Sequence, residues 1–474
     1  MSNGYKWREI ADLPGDLDPL RDRELEALRE VWDDERKRIG EAGQVSDFSV
    51  QLAREWAIET GIIEGVYTLD RGITQTLIER GIDSSYIAHD STNRDPELVA
   101  RIMQAHAEVL EGLFDFVKGD RPLGTSYIKE LHQALLRNTD TVVVFDPAGK
   151  AFETPLEKGV YKRMPNNPRR PDGGMHEYCP PEHVASEMDR LIEFHHAHEE
   201  RGVSAHVEAA WLHHAFTQIH PFQDGNGRVA RTLASLVFIK AGYFPLVVTR
   251  DDREKYIDAL ERADEGDVVE LVGFFARIQK RALTKAVARA VDMKPVRSAE
   301  EALAVTRDML VNVGRIIPTE YLRAKVTASA LIQLTSNRFQ GAANTLAHEI
   351  TAVDTKFSFV VGTTVASDQR LRASAERLQY DPNTKVLDQA VVLTFRDGDV
   401  GSRILVCFHG VGPAFRGLLV AVGLFEASDT VAVISDDLFT ISYQEPQDEA
   451  MRRFDKWLDR ILIEGLAQWR RTLV

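Results

Sequence analysis

The chain has 474 residues, more than one hydrophobic core usually organises, and its composition of 44% hydrophobic and 28% charged residues is typical of globular proteins. A formal net charge of −15 argues against nucleic acid or an anionic membrane surface as a partner, and no apolar run approaches the ~20 residues of a membrane span. The two cysteines lie far apart and the N-terminus lacks an apolar signal segment, which favours a reducing compartment and predicts a cytoplasmic location.

Residues 1–94 are predicted to form an N-terminal helical region. Leu25 and Trp32 lie on the apolar face of a first amphipathic helix, whose other face alternates acidic and basic residues. Phe48 and Trp56 are eight residues apart on one face of a second helix. This second helix ends near Gly65, which fits a glycine at a helix C-terminus.

Residues 95–294 predict a helical bundle interrupted by a small β element. Asp95 followed by Pro96 is a good helix start, and a further helix begins near Thr125. The β-branched run at 141–145 and the proline- and glycine-containing stretch at 150–170 break the helical period.

Five of the six histidines between residues 195 and 214 raise the question of a zinc site. A helical zinc pair needs ligands at positions i and i+4, together with a third ligand. The candidates do not show that spacing, so surface or partly packed histidines are the preferred interpretation; they are His195, His196, His198, His213 and His214.

A tight loop between two helical patterns carries most of the polar chemistry of the chain. The loop and the following helical turn read HPFQDGNGRVAR, from His220 to Arg231. Gly225 and Gly227 can adopt positive φ and let backbone N–H groups point inward at a helix N-terminus. Such a site binds phosphate.

The side chains of this loop suit a polyphosphate and a proton transfer. Arg228 and Arg231 are three residues apart on the first turn of the helix and can bind several phosphate oxygens. Asp224 is a candidate ligand for Mg²⁺, which typically takes one or two carboxylates together with phosphate oxygens. His220 is the group in the loop that could accept a proton near pH 7.

This string resembles the signature of the Fic family, HPFx[D/E]GNGRxxR, and fills every fixed position of it. The resemblance implies an enzyme that transfers AMP from ATP to a protein hydroxyl. It implies that His220 deprotonates the hydroxyl and that Asp224 holds Mg²⁺. It further implies that the phosphates are bound by Arg228, Arg231 and the loop, namely Gly225, Asn226 and Gly227.

Two further segments resemble parts of this family. Thr60 to Gly65 matches the inhibitory pattern [S/T]xxxE[G/N], which implies that Glu64 inhibits the enzyme by forming a bidentate pair with Arg231. The stretch around 159–167 falls where family members place a β-hairpin flap that holds the target segment by main-chain pairing. Its candidate residues are Tyr161, Lys162, Arg163 and Met164.

The remaining segments are less specific. Residues 253–262 and 267–291 predict helices that close the bundle, and Tyr256 is a candidate contact for the adenine base. Residues 295–355 predict a helical connector, and residues 356–474 an α/β or α+β domain of unknown role. The fold class is thus mainly α, a Fic-type helical bundle with a small β-hairpin flap, followed by a helical plus α/β or α+β region.

Two hypotheses of different classes follow. The first is a protein adenylyltransferase that uses ATP and Mg²⁺, is autoinhibited by Glu64, and acts on a Ser, Thr or Tyr hydroxyl of an unidentified target protein and on itself. A bifunctional or mainly AMP-removing enzyme is its close alternative. The second is a nucleotide-sensing scaffold, against which the intact His220 counts. Nucleic acid and membranes are not expected as partners, and a homo-oligomer is left open.

Overall fold

The computed structural model describes residues 5–39, 44–145, 151–168, 174–289, 319–350 and 356–473, except residues 367, 379, 398–399, 413–414, 416, 428–429 and 436. The chain divides into two compact units, one formed by residues 1–22 with 46–279 and the other by residues 23–45 with 280–474. The division expected from the sequence, at 94/95, 294/295 and 355/356, stays a prediction. Its middle boundary lies outside the described residues.

The secondary-structure elements are numbered along the chain. The helices are α1 (Arg23–Ile39), α2 (Gln44–Ile63), α3 (Arg71–Arg80), α4 (Pro96–Lys118), α5 (Thr125–Leu135), α6 (Val184–Glu200), α7 (Ala205–Ile219), α8 (Asn226–Lys240), α9 (Arg253–Asp264), α10 (Val269–Arg289), α11 (Thr319–Ile350), α12 (Asp368–Leu378) and α13 (Gln447–Thr472). The strands are β1 (Thr141–Phe145), β2 (Ala151–Pro155), β3 (Phe357–Thr364), β4 (Pro382–Asp397), β5 (Val400–Val411), β6 (Leu418–Ala427), β7 (Thr430–Val433) and β8 (Phe439–Ser442). Within the described ranges, no helix has the length and apolar character needed to cross a bilayer.

Helix α8 lies at the centre of the first unit, in contact with α4, α5 and α7. It is buried on nearly all sides, so its few polar side chains must be satisfied internally. Thr232 and Ser235 meet this need by donating their hydroxyls to the carbonyls of Arg228 and Arg231, one turn earlier, at 2.8 and 2.7 Å. The predicted mainly helical bundle is confirmed, and its most buried helix is the one that follows the glycine-rich loop.

The end of α2 is fixed against the rest of the first unit by two contacts. Arg250 donates from Nη2 to the Glu59 carboxylate at 2.8 Å, and its backbone N–H donates to the same carboxylate at 2.8 Å. The Tyr67 ring packs on Gly61 so closely that a Cβ there would lie 2.5 Å from the Tyr67 hydroxyl. The last turn of α2 and Glu64 just beyond it are therefore held in one position.

The N-terminal segment, residues 5–20, runs along α6 and α7 in the first unit. The Ile10 N–H donates to the buried Glu187 carboxylate at 2.8 Å, and Trp211 donates from Nε1 to the Ala11 carbonyl at 2.9 Å. His206 Nε2 donates to the Leu20 carbonyl at 3.0 Å. Because these partners lie nearly 200 positions further along the chain, the sequence pattern gave no sign of them.

The second unit is built on an antiparallel sheet with the strand order β3-β4-β5-β6-β7, in which β8 also pairs with β6. Along β5, Ile404, Val406 and Phe408 contribute to the core shared with α11 and α13. The alternate residues Leu405 and Cys407 contribute to the core shared with α12. Helices thus cover both faces of an antiparallel sheet, so the α+β alternative is the correct one of the two expected.

Helix α1 belongs to the second unit, where it contacts β8. Leu25 and Leu28 are fully buried, and the nearby Glu24 carboxylate is bound by Lys280 at 2.8 Å and Arg453 at 3.0 Å. Burial disfavours the charged form of Glu24, but Arg453 and Lys280 outweigh it and hold the pKa of the carboxyl well below its usual range. The sequence places this helix in an N-terminal region, whereas its apolar face is covered by the C-terminal residues.

The Glu24 ion pairs lead to a stability prediction. Glu24→Gln removes the carboxylate that the partly buried Lys280 and Arg453 share, while Arg453 keeps its pair with Glu445, so we expect it to lower the free energy of unfolding of the second unit by about 2 kcal/mol. Urea unfolding monitored by tryptophan fluorescence measures the change. Glu30→Gln, on an exposed position of the same helix, is the matched control and should leave the midpoint unchanged. Equal midpoints for both variants would show that the Glu24 pairs contribute nothing net.

Candidate active site

The turn between α7 and α8 has a strained backbone at both ends. His220 closes α7 in the left-handed region with φ 52°, and Gly225 opens α8 with φ 82°. A Cβ at Gly225 would lie 2.5 Å from the Leu136 side chain, so only glycine fits there without displacing that side chain. The residues of this turn, 220–228, are called the signature loop below.

Asn226 holds the signature loop together. Its side-chain Oδ1 accepts from the Phe222 N–H at 2.9 Å and its Nδ2 donates to the Phe222 carbonyl at 2.7 Å. Asn226 and Phe222 are both buried. The amide expected to bind a phosphate is therefore used within the loop, and Asn226 fixes the backbone that would bind the anion.

His220 is oriented as a neutral base. Its Nδ1 donates to the Thr217 carbonyl at 3.1 Å, which leaves the lone pair on Nε2. Burial, together with the nearby Lys162 ammonium, lowers the pKa of His220 to about 3. The imidazole is consequently uncharged near pH 7 and able to accept a proton at Nε2.

Arg228 presents unsatisfied hydrogen-bond donors at the start of α8. Only 2% of it is exposed, and its Nη2 donates to Asp224 Oδ2 at 3.0 Å. Its Nε and Nη1 are buried and have no hydrogen-bond partner among the residues that the structure describes. A buried guanidinium with two unused N–H groups is costly unless a ligand accepts from them. Phosphate oxygens would fill that role.

The Asp224 carboxylate can bind a cation in addition to Arg228. Its side chain is 39% exposed and has the Arg228 contact on one oxygen. No group of three or more His, Cys, Asp or Glu that could hold a metal ion is found in the described part of the chain. A lone carboxylate nevertheless fits Mg²⁺ that arrives with a nucleotide, because phosphate oxygens and water supply its other ligands.

Arg231 and Glu64 are in contact, as the sequence predicts. Arg231 is 1% exposed, and its Nη1 donates to Glu64 Oε1 at 2.9 Å. The pair is not bidentate, however, because two other nitrogens of Arg231 bind Thr60: Nε donates to Oγ1 at 2.9 Å and Nη2 to the carbonyl at 3.1 Å. The Tyr256 side chain is a further hydrogen-bond partner of Arg231. Thr60, the first residue of the six-residue pattern, thus shares the arginine with Glu64, a role that the sequence did not reveal.

Glu64 also occupies space at the start of α8. A Cβ at Gly227 would lie 2.3 Å from Glu64 Oε1, so the carboxylate rests directly against the Gly227 backbone. A carboxylate at a helix N-terminus is electrostatically favourable, as a phosphate would be. Glu64 therefore places a negative charge in the region where the sequence predicts phosphate.

Tyr256 lies in the core. It is 3% exposed, and its hydroxyl is 2.8 Å from Nε2 of the buried His213. Its ring packs near Phe274, with centroids 5.8 Å apart. In this structure, therefore, neither face of the Tyr256 ring is accessible for stacking with an adenine base.

The β-hairpin and the predicted flap residues occupy different positions. The hairpin pairs Thr141 with Pro155 and Phe145 with Ala151, whereas the described residues 156–168 form no strand. Pro165 and Pro168 explain the difference, because proline lacks the N–H that a β ladder requires. The predicted flap is thus the loop that follows the hairpin.

The four flap candidates differ in how far their side chains are exposed. Arg163 and Met164 are exposed, Met164 by 66%, and they remain candidates for contact with a target. Lys162 is buried: its backbone N–H donates to the Pro221 carbonyl at 2.8 Å and its Nζ donates to Asn166 Oδ1 at 2.8 Å. Burial lowers the pKa of the Lys162 ammonium to about 8. Tyr161 is half-buried, with its ring over the Lys129 ammonium.

His132 links the flap loop to the signature loop, a role for which the sequence carries no signal. Its Nδ1 accepts from the Gly159 N–H at 2.7 Å, and its Nε2 donates to the Asp224 carbonyl at 3.0 Å. Burial lowers the pKa of His132 to about 4, so the neutral tautomer that makes both bonds persists near pH 7. Its ring stacks on Phe222 with centroids 3.9 Å apart.

The histidines considered for zinc lie apart from the signature loop's chemistry. His195 and His198 each bond one oxygen of the buried Glu208 carboxylate, both at 2.6 Å. The second nitrogen of His198 lies 2.6 Å from Asp12 Oδ1. His213 and His214 contact Tyr256 and Asp264 respectively. Four of the five histidines are thus packed against other side chains, in keeping with the preferred interpretation.

Comparisons with known proteins bear on the same region. Residues 122–238 match the model of the Fic/DOC family. The protein adenylyltransferase Fic of Aedes aegypti is 43% identical over 75 residues, 16% of this chain and 15% of that protein. The protein of the same name from Drosophila persimilis is 30% identical over 156 residues, 33% of this chain and 27% of that protein. The chain thus matches less than a third of the length of these curated relatives.

Two solved structures align with part of the chain. A Fic domain-containing signaling protein from Bacteroides thetaiotaomicron aligns with a TM-score of 0.46 and 23% sequence identity. The alignment covers 58% of this chain and 99% of that one. A Fic family protein from Desulfovibrio desulfuricans aligns with a TM-score of 0.42 and 18% identity, over 63% of this chain and 86% of that one.

Proposed function

We propose that this chain, which contains a Fic/DOC domain at residues 122–238, transfers AMP from ATP to a Ser, Thr or Tyr hydroxyl of a target protein. One arrangement carries the proposal. A neutral imidazole, that of His220, stands directly before a helix N-terminus where buried Arg228 has two unused N–H groups. The relatives named protein adenylyltransferase Fic support the same reaction.

In the proposed reaction, the target hydroxyl oxygen attacks the α-phosphorus of ATP. The bond from that phosphorus to the bridging oxygen of the β-phosphate breaks, and pyrophosphate leaves. The hydroxyl proton passes to Nε2 of His220. A base works best when its pKa is near the working pH, and the negative charge of a bound triphosphate raises the pKa of His220 from its low value in the free protein.

The signature loop and α8 would bind the phosphates. The backbone N–H groups at the start of α8, with the positive end of the helix dipole, would bind phosphate oxygens, and Nε and Nη1 of Arg228 would add two charged donors. Asp224 would hold Mg²⁺, which when bound neutralises charge developing on the phosphates. Asn226 would act through the loop shape that its two bonds to Phe222 maintain.

Glu64 would keep the enzyme inactive in the state described. It pairs with Arg231 and rests against Gly227, so a triphosphate meets a negative charge and an occupied arginine at the start of α8. ATP would then bind with its α-phosphate displaced from in-line attack, and a displacement of about 1 Å costs ~10²-fold in rate. Movement of the end of α2 would require breaking the Glu59–Arg250 pair.

Partners and location complete the proposal. The target would be a protein presented to the exposed Arg163 and Met164, and the enzyme would also modify itself. The two cysteines, both free thiols and buried, accord with the predicted cytoplasmic location. A homo-oligomer remains one option, and the close chemical alternative is removal of AMP, in which Glu64 would position water.

Labelled ATP tests the proposal directly. The Glu64→Gly variant is incubated with ATP labelled at either the α- or the γ-phosphate, and protein-bound label is read from a gel. Label from the α position supports AMP transfer. Label from the γ position alone would mean phosphorylation instead, and no label at all from this variant would favour the nucleotide-sensing scaffold.

A further inference from the structure

We infer that Tyr178 is a positioning residue for the imidazole of His220, and that the N-terminal segment holds Tyr178 in place through Tyr5. The inference rests on the proposed function, in which His220 is the base. It concerns residues outside the 220–231 signature and outside the inhibitory pattern.

Tyr178 covers one face of the His220 ring. The two ring centroids are 3.7 Å apart and the ring planes differ by 8°, so the rings are stacked face to face. The bond from Nδ1 to the Thr217 carbonyl fixes the tautomer and one edge of the imidazole. The stack fixes its plane, and both together direct the lone pair of Nε2 along one line.

The peptide segment that carries Tyr178 is itself held on both sides. The Tyr178 N–H donates to Asn167 Oδ1 at 2.9 Å, and the next N–H, that of Cys179, donates to the Gln218 carbonyl at 3.4 Å. The first bond joins the segment to the end of the flap loop. The second joins it to the last turn of α7, which leads into His220.

Tyr5 of the N-terminal segment also contacts the segment that carries Tyr178. Its carbonyl accepts from the Glu177 N–H at 3.0 Å, and its hydroxyl accepts from Gln218 Nε2 at 2.7 Å. Its ring stacks on His176 with centroids 4.5 Å apart. His176 lies 4.7 Å from the ring of Tyr178, so the aromatic contacts run from Tyr5 to His220 without a gap.

The stack also controls the charge of the base. Burial is the main cause of the lowered pKa of His220, and the Tyr178 ring contributes to that burial by covering one face of the imidazole. The nearby Lys162 and His176 also disfavour protonation, whereas the bond to the Thr217 carbonyl favours it. Loss of the flat ring would admit water and raise the pKa of His220 toward its ordinary value of about 6.5. Because the base works when neutral, activity would then fall as the pH drops through that value.

Two substitutions of Tyr178 separate the stack from the hydroxyl. Tyr178→Phe keeps the ring, and we expect kcat and the pH profile to stay as in the parent protein. Tyr178→Leu replaces the flat ring with a smaller branched side chain that leaves part of the imidazole face open to water, and we expect kcat to fall about 10- to 100-fold with KM for ATP unchanged. In that variant kcat/KM, which reports the free enzyme, should gain an acid limb near pH 6.5. All variants carry Glu64→Gly so that activity is measurable.

Tyr5 tests the second half of the inference. Tyr5→Ala removes the ring and the hydroxyl that hold the 176–179 peptide, and it should lower kcat in the same direction as Tyr178→Leu but less. Lys6→Ala, at the exposed neighbouring position, is the control and should leave kcat unchanged. Equal kcat values for Tyr5→Ala and Lys6→Ala would overturn the role of the N-terminal segment.

A titration of His220 by NMR keeps the inference independent of the reaction. The imidazole signal is assigned by its loss in His220→Gln and followed from pH 5 to 8 without nucleotide. We expect no protonation in the parent protein or in Tyr178→Phe, and protonation near pH 6.5 in Tyr178→Leu. An unchanged titration in Tyr178→Leu would overturn the inference even if AMP transfer occurs. The predicted titration in a protein that transfers no AMP would sustain the positioning contact and reject the proposed function.

Discussion

Alanine at position 220 is expected to lower AMP transfer by about 10²–10⁴-fold while ATP still binds. In the proposed mechanism the imidazole accepts a proton in the transition state, and the groups expected to bind the phosphates in the ground state lie further along, at Arg228 and the start of α8. The comparison is made in a Glu64→Gly background. Single-turnover labelling measures the rate, and isothermal titration calorimetry measures the affinity for ATP.

The control for this substitution is His89→Ala, which changes an exposed histidine outside the site and should leave the rate unchanged. The αL backbone of His220 and its bond to Thr217 offer a competing, structural role for the side chain. Loss of ATP affinity together with activity in His220→Ala would favour that structural role over the chemical one.

Glycine at position 64 is expected to raise self-modification by roughly 10²-fold with a modest change in ATP affinity. The substitution removes the carboxylate that lies against Gly227 and frees Nη1 of Arg231. Residue 64 lies just beyond the end of α2, so a glycine there does not interrupt the helix. Thr60 keeps its two bonds to Arg231, which leaves the arginine in position to receive a phosphate.

Other residues at position 64 separate charge from volume. Glu64→Asp should give an intermediate rate, because the shorter side chain weakens the contact with Arg231 and retains the charge. Glu64→Gln should activate less than glycine, since the amide still fills the space beside Gly227. Adding His220→Ala to Glu64→Gly must abolish the gain if it arises at this site.

Two outcomes would revise the account of Glu64. Unchanged labelling in Glu64→Gly would mean that residues 60–65 are an ordinary helix end and that the inhibition does not exist. Loss of an AMP-removing activity in the same variant would assign Glu64 a hydrolytic role. The second outcome is read by incubating AMP-labelled protein with each variant and measuring released AMP.

The sequence predicted those features of the site that depend on local spacing. The loop before α8 and the apolar helices on both sides of it follow from short patterns of residue type. The contact between Glu64 and Arg231, which lie 167 positions apart, was expected from the family resemblance instead. The bidentate geometry was wrong because it ignored Thr60, which lies one helical turn before Glu64 and accepts from Nε and Nη2 of Arg231.

Features that depend on distant segments were not predictable in the same way. His132 bonds the signature loop 92 positions away, and Tyr5 bonds Gln218 across 213 positions. A lone histidine or tyrosine has no period that would mark such a partner. The flap was placed at 159–167 because the resemblance puts a hairpin there, whereas the hairpin pairs 141–145 with 151–155 and the prolines that follow prevent a ladder.

The early position of helix α1 in the sequence has a consequence for folding during synthesis. It leaves the ribosome early, but the residues that bind the Glu24 carboxylate begin with Lys280, 256 positions after Glu24. At a synthesis rate of about 5–20 residues per second, roughly 10–50 seconds pass between the synthesis of α1 and that of Lys280. During that interval the nascent helix is a natural client for a chaperone. The last segment of the first unit ends at residue 279, so this unit can fold before the second unit has been synthesised in full. Residues 23–45, which belong to the second unit, lie between the two segments of the first.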